Sequence, residues 1–200
     1  MFLKFKITLI TTLLSATVCA NSFKENFKLT DPKEGWFIGT AVGPQFYVGE
    51  FDRLQSAGHR ISTAMEGHFG KWITKSVAAR IQGSCAHVTG GNKSKKKDAM
   101  NMVNIHADCM VDIINVIKNV DEERKFTLMP FFGMGSSFRL GNQAYFSFDL
   151  GAQGVYRASK HINLFAEIKG VLLNDKMDGN TGGFRYDGSA ILTAGFNFKF

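Results

Sequence analysis

Several residue types that rigidify or staple a soluble fold are sparse in this chain. Proline occurs three times in 200 residues, so few positions along a strand would lack a backbone donor. Cysteine also occurs three times, at positions 19, 85 and 109. None of these has CxxC or metal-ligand spacing, so the cysteines point to neither a redox dithiol nor a zinc site. Mean hydropathy is −0.06, which leaves no long apolar helix in control of the fold. No Gly-rich phosphate loop or dinucleotide fingerprint occurs in a sensible context, and no repeat of solenoid length is present. The sequence therefore points to no cofactor, no metal and no catalytic set. Phenylalanine (19) and glycine (21) are abundant instead. That pairing suits many short strands with tight turns and crowded inner faces.

The first segment, 1–20, has the grammar of a signal peptide. Lys4 and Lys6 supply the positive start, Ile7 to Thr17 the apolar core, and Val18-Cys19-Ala20 a small-residue cleavage site. The core is too short for a stable membrane-spanning helix. Val18 stands where a lipobox takes Gly, Ala or Ser, so lipidation of Cys19 is not expected. Residues 21–35 are polar and charged, broken at Asp31-Pro32, and read as a short periplasmic lead-in. Residues 36–200 then form one domain.

From Trp36 onward the chain alternates apolar and polar residues in about eight segments separated by turn residues. Val103, Ile105, Ala107, Cys109 and Val111 fall on one face of a strand from about Met100 to Ile113; Asn104, His106, Asp108 and Asp112 fall on the other. The last stretch is clearest. Ala190, Leu192, Ala194, Phe196, Phe198 and Phe200 alternate with Ile191, Thr193, Gly195, Asn197 and Lys199, a period of two that marks a strand with unlike faces. An unpaired apolar edge of this kind invites aggregation in water. A strand that closes a barrel in a bilayer has no free edge and turns its apolar face outward. Connections after odd strands are mostly long and polar, and those after even strands shorter, with Ile114 to Arg124 and Arg139 to Asn142 as exceptions. The sequence therefore predicts an all-β fold, an eight-stranded antiparallel up-and-down transmembrane β-barrel with both termini in the periplasm. A soluble ligand carrier with the same strand number would need the reverse pattern. The facing of the fifth strand, Lys125 to about Phe138, is ambiguous, and Pro130 predicts a bulge or local break in its ladder.

The terminal pattern at Phe196, Phe198 and Phe200 resembles the C-terminal insertion signal of bacterial outer-membrane barrels, which implies recognition by the outer-membrane assembly machinery. With the leader and the strand order, the chain resembles the OmpA-like transmembrane barrel family. It is most similar to short single-domain members from bacteroidete outer membranes. The Gly70-Lys71-Trp72-Ile73-Thr74 turn before a strand carrying Arg80, and the Pro130-Phe131-Phe132-Gly133 stretch, carry that finer likeness. OmpA proper has a peptidoglycan-binding domain after its barrel. This chain ends at Phe200, so a cell-wall tether is not expected.

The inward polar set comprises Glu66, His68, Arg80, His106, Asp108, Asp112, Asp149, Glu167, Lys169 and Lys199. An eight-stranded barrel has room only for its own side chains, and buried charges need partners. These residues are therefore expected to form a lumenal salt-bridge network, with Glu66 paired to Arg80 across the short turn between strands two and three. The runner-up is a small enzyme acting on lipid A or phospholipid acyl chains. Such chemistry needs His and Ser together with an acid. His106 and Asp108 share a face without an evident serine, and Ser84 and His87 point to opposite faces. Narrow-channel, porin-like activity is disfavoured by a filled lumen. Cys85 and Cys109 fall on the lipid side at different heights, so small apolar packing is expected there, not a bridge.

Lys93, Lys95, Lys96 and Lys97 form the sharpest surface feature within a formal charge of +7. On an outer loop they would meet lipopolysaccharide phosphates or another anionic surface ligand. They lack interleaved aromatics, so nucleic acid is not an expected partner. The expectation is a Gram-negative outer-membrane protein with a structural or adhesive role.

Overall fold

The computed structural model describes residues 29–31, 33–48, 61–91, 97–118, 124–139, 144–174 and 186–200. The leader over 1–20 and the lysines at 93, 95 and 96 lie outside the described residues, as does the side chain of Lys97.

Eight strands run in chain order: β1 (Trp36–Val48), β2 (Ile61–Trp72), β3 (Val77–Gly91), β4 (Lys97–Val111), β5 (Phe126–Arg139), β6 (Ala144–Arg157), β7 (Ile162–Asn174) and β8 (Tyr186–Lys199). Each pairs antiparallel with the next, and β1 pairs with β8 from Phe37↔Lys199 to Val48↔Gly188, closing the barrel. Closure leaves no strand without a neighbour on either side, which is what a sheet in hydrocarbon requires. The last residue is held in the same way, Phe200 N donating to Trp36 O (3.0 Å) beside β1.

The barrel is inside out relative to a soluble protein. Leu150 is 70% exposed and Phe196, Phe198 and Phe200 are 51%, 40% and 62% exposed, whereas Glu66 and Arg80 are 3% and 2% exposed. The period-two pattern explains this directly. Each strand has an apolar side turned outward, and β5 carries Met129 and Phe131 inward as well. Aromatic pairs sit toward both ends of the wall. Trp36 stacks on Phe69 (5.0 Å between ring centres) near the chain termini, and Phe146 meets Phe148 edge-on (4.8 Å) toward the opposite end, as interfacial girdles do.

Three local features differ from the sequence reading. First, the β3–β4 hairpin pairs as far as Gly91↔Lys97, taking in residues expected in a loop. Each added pair satisfies backbone groups, so turn-forming residues join the ladder while both arms stay in register. Second, the connection after β4 contains a helix, α1 (Ile113–Lys118). Asp112 caps it: its Oδ1 accepts from Asn115 N (3.0 Å) and its carbonyl from Val116 N (3.1 Å). Third, of the two outcomes expected at Pro130, β5 shows a local break in one ladder and no bulge. Its register with β6 passes through Pro130↔Ala152 without a slip, while the β4–β5 pairing stops at Met110↔Phe131, one residue short of the proline. The missing donor falls where that ladder ends. The facing of β5 is also settled: Met129, Phe131 and Ser137 are buried, and Phe132 and Met134 are exposed.

The lumen is layered. Toward the termini, Phe37, Ala78, Met110, Phe131, Val155 and Phe165 form an apolar cluster backed by Trp72. Toward the other end, Ala64, Ala86, Met102, Val171 and Ile191 form a second, with Tyr145 against it. Glu66, Arg80, Asp108, Asp149, Glu167 and Lys169 lie between.

Candidate functional site

At the centre of that middle layer is Arg80 of β3. Its Nη1 and Nη2 donate to Glu167 Oε2 (2.6 Å) and Oε1 (3.0 Å), a two-pronged bond across the lumen to β7. Its Nε donates to Asp108 Oδ2 (2.5 Å) on neighbouring β4. The guanidinium also lies 4.4 Å from the centre of the Phe131 ring, so its flat face is covered by the terminal-side apolar cluster. Glu66 does not pair with Arg80. The β2–β3 register sets Glu66 opposite Ser84 and Arg80 opposite Gly70, which separates them along the barrel axis. Glu66 Oε1 instead contacts Lys169 Nζ at 2.5 Å, and its Oε2 accepts from Thr193 Oγ1 at 2.7 Å.

Uncharged residues knit these pairs together. Gln82 Oε1 accepts from Lys169 Nζ (2.7 Å), and Gln82 Nε2 donates to Glu167 Oε1 (3.2 Å). Gln153 Nε2 donates to Glu167 Oε2 (2.9 Å). Charge does not mark Gln82, Gln153 and Thr193 as members of this network. Their inward phase in the alternation was the available signal.

A second polar group adjoins the first. Ser137 Oγ donates to Ser147 Oγ (2.7 Å), whose hydroxyl lies 2.8 Å from His106 Nε2. His106 Nδ1 is 3.7 Å from Asp149 Oδ2. Thus a serine does stand with His106, contrary to the sequence reading. It comes from β6, two strands away, because the His106↔Gly135 and Gly135↔Ser147 pairings put a glycine between them. Gly133 plays the same part for Asp108 and Asp149, whose Oδ1 atoms both occupy the space a β-carbon there would need. The order of carboxylate, imidazole and hydroxyl is one that serine hydrolases use. With Ser147 only 1% exposed, an acyl substrate has no approach to that hydroxyl.

The remaining predicted residues lie apart. His68 contacts Asn197 Oδ1 through Nε2 (2.6 Å) among Phe37 and Phe165. Asp112 is the α1 cap and pairs with Arg124 (2.6 Å) at the barrel's base, so it takes no part in the central cluster. Lys199 is half-buried and lines a cavity of about 30 Å³ with Trp72, Asn163 and Asn197, large enough for water but not for a solute. Among the described residues no group of three or more His, Cys, Asp or Glu could hold a metal ion.

No family model matches the sequence, and no curated protein does either. Solved structures do. Neisserial surface protein A is similar with a TM-score of 0.55 at 15% identity, over 83% of this chain and 97% of that one. The N-terminal β-barrel domain of Pseudomonas aeruginosa OprF matches at 0.46 and 14%, over 82% and 98%. Ail, the attachment invasion locus protein of Yersinia pestis, matches at 0.41 and 13%, over 82% and 99%. At such identity the likeness is one of fold. The chain is a closed eight-stranded transmembrane β-barrel with the architecture of Neisserial surface protein A.

Proposed function

We propose that this protein is exported, inserts into a bacterial outer membrane with both termini on the periplasmic side, and serves there as a structural or surface-interaction protein, not as a wide pore. One observation carries the reading: the lumen is closed by a bonded charged layer held between two apolar clusters, while the outer wall is apolar. A lumen filled in this way, among the described residues, supports a barrel that is not a wide pore. Its function then rests on the wall in the bilayer and on the connections after odd strands. The buried His106–Ser147 contact reads as part of the packing, with no catalytic task. Lys93, Lys95, Lys96 and Lys97 supply positive charge for lipopolysaccharide phosphates or another anionic ligand. The Gly70 to Thr74 turn and the Pro130 to Gly133 stretch support a place among short OmpA-like barrels of the bacteroidete type. The terminal phenylalanines fit handling by the outer-membrane assembly machinery.

The test is fractionation of expressing cells, followed by gel migration with and without boiling and by planar-bilayer recording. Recovery in the outer membrane, a heat-modifiable band and no large conductance are expected. Recovery in the soluble fraction, or stable openings of general-porin size, overturns the reading. Replacing the four lysines with glutamine should reduce retention on immobilised lipopolysaccharide.

A further inference from the structure

Among the described residues, the two most exposed large apolar side chains stand off the barrel wall. Leu29 is 77% exposed and Ile117 73%, more than any large apolar residue of the strands. Leu29 belongs to the lead-in and Ile117 to α1, and one assembly at the barrel's base holds both. Leu29 bridges to Thr74, and Thr30 N donates to Ile73 O (3.0 Å). Asp112 N donates to Ser76 O (2.8 Å), and Asn115 Nδ2 to Lys75 O (2.9 Å). The lead-in and α1 are thus bonded to the same turn, 73–76. Asn115 is the one polar side chain between Ile113 and Ile117, and it is engaged with that turn. Ile73, within the turn, is a further exposed apolar residue.

The stagger of the strands gives this assembly its height. Register partners followed once round the barrel from Phe37 return to β1 at Tyr47. Each row therefore climbs away from the termini, as tilted strands in a closed barrel require. Spread evenly over the eight strands, that climb sets Trp36, Ile113, Phe126, Tyr156, Ile162 and Phe198 on one ring. Phe126, Tyr156, Ile162 and Phe198 are all exposed. A ring of outward aromatics at one end of an apolar wall marks the passage from acyl chains to head groups. α1 starts on that ring, packs against β5, and presents Ile117 about one helical turn further on. A connection that meets only water is built differently. On the other side of the barrel, the β6–β7 turn exposes Ser159, Lys160 and His161. The apolar base is continuous with the lipid-facing wall, and that identifies its occupant by chemistry.

We propose that α1, Ile73 and Leu29 form an interfacial anchor. Ile117 and Leu29 enter the boundary between head groups and acyl chains in the half of the bilayer at the termini end, as the apolar face of a surface-lying helix does. The anchor holds the barrel's depth on the side of β2 to β5, where the lead-in, the turn and α1 are bonded together. The opposite side, with its polar β6–β7 turn, has only the wall to hold it. This inference rests on the membrane reading above and adds a contact that the wall alone does not supply.

Depth-dependent fluorescence quenching tests it. Ile117→Trp, Lys160→Trp and Leu150→Trp are each folded into phosphatidylethanolamine–phosphatidylglycerol vesicles that contain brominated phosphatidylcholine. The signal of the parent's Trp36 and Trp72 is subtracted. Ile117→Trp should be quenched about twofold more by bromines near the carbonyl end of the chains than by bromines near the methyl end, and shielded from acrylamide in the water. Leu150→Trp, part-way along the wall from Tyr156, should show the reverse preference. Lys160→Trp should be open to acrylamide and little affected by bromine. If Ile117→Trp behaves like Lys160→Trp, the base lies in water and the proposal is overturned. If Ile117→Trp is shielded from both quenchers, protein covers it, a second copy included, and the proposal is overturned as well. Either result with Leu150→Trp still quenched by lipid leaves the membrane reading standing, whereas loss of lipid quenching at Leu150→Trp removes both. The unboiled gel band reports folding of each variant.

Discussion

Arg80 and Asp149 lie in the same layer of the lumen and are equally buried, at 2% and 3% exposure, yet their surroundings are opposite. Every guanidinium nitrogen of Arg80 has an acceptor among Asp108, Glu167 and Gln82. Among the described residues neither carboxylate oxygen of Asp149 has a hydrogen-bond donor, and Asp108 Oδ1, which shares the space beside Gly133, lacks one too. The contrast shows that burial alone does not rank residues in a filled barrel. What ranks them is what the surroundings lose when the side chain is removed.

The largest effect should come from Arg80→Met. It strands Asp108 and Glu167 as buried carboxylates without their main partner, and breaking a buried pair from one side costs about 3–5 kcal/mol. Methionine also leaves Phe131 without the flat group that covers it. The temperature at which the folded gel band disappears should fall steeply. Adding Glu167→Gln and Asp108→Asn to that variant should recover much of the loss, since the unpaired charges are gone. If the triple variant melts no higher than the single one, the cluster's worth lies in packing.

Thr193→Val comes next. It removes a hydroxyl that donates to Glu66 Oε2 at 2.7 Å from within the wall of β8. A hydrogen bond to a charged group contributes about 1.5–3 kcal/mol, and the other donor to that oxygen, Gln82, is at 3.5 Å. A smaller drop in the same melting assay is expected, and no drop would mean that Lys169 alone holds Glu66.

Gly133→Ala tests the glycine that separates the two groups. Its β-carbon would need the space held by Asp108 and Asp149 oxygens and presses on Ala107 O. Carboxylates can rotate away, so the expected cost is about 1–3 kcal/mol, the usual range for overpacking. The readout is again the gel transition, with a change in Arg80 cluster stability inferred if the variant no longer responds to Arg80→Met.

How much of this was readable beforehand follows from what the alternation encodes. A period of two states which side of the wall a residue takes, so the closed barrel, the outward phenylalanines and the inward Glu66, Arg80 and Lys169 could all be read. It says nothing about height, because height depends on the stagger between strands. That is why the sequence pairs Glu66 with Arg80, its apparent neighbour across a turn, whereas the structure aims Arg80 at Glu167. The same blindness hid Ser147 from His106, since a contact over a glycine joins strands that are not adjacent in sequence. Asp112 keeps the inward phase and is buried, and its place one residue before Ile113 also makes it a helix cap at the barrel's base, a local role that the alternation does not encode.

The smallest effect, and the one opposite in sign, belongs to Asp149→Asn. The change keeps the shape but replaces a carboxyl that no described donor meets. An amide in that position also supplies N–H groups where Asp108 Oδ1 now lacks a partner. Replacing a carboxyl that no described donor meets and adding a hydrogen bond both favour the folded state. His106 stays bonded to Ser147 on its other nitrogen, so little is lost. The folded band should persist to the same temperature as the parent or to a few degrees higher. A fall comparable to that of Arg80→Met would show that the ionised carboxylate holds His106 in place across 3.7 Å. The two buried groups would then be one network, not a satisfied cluster beside an unsatisfied one.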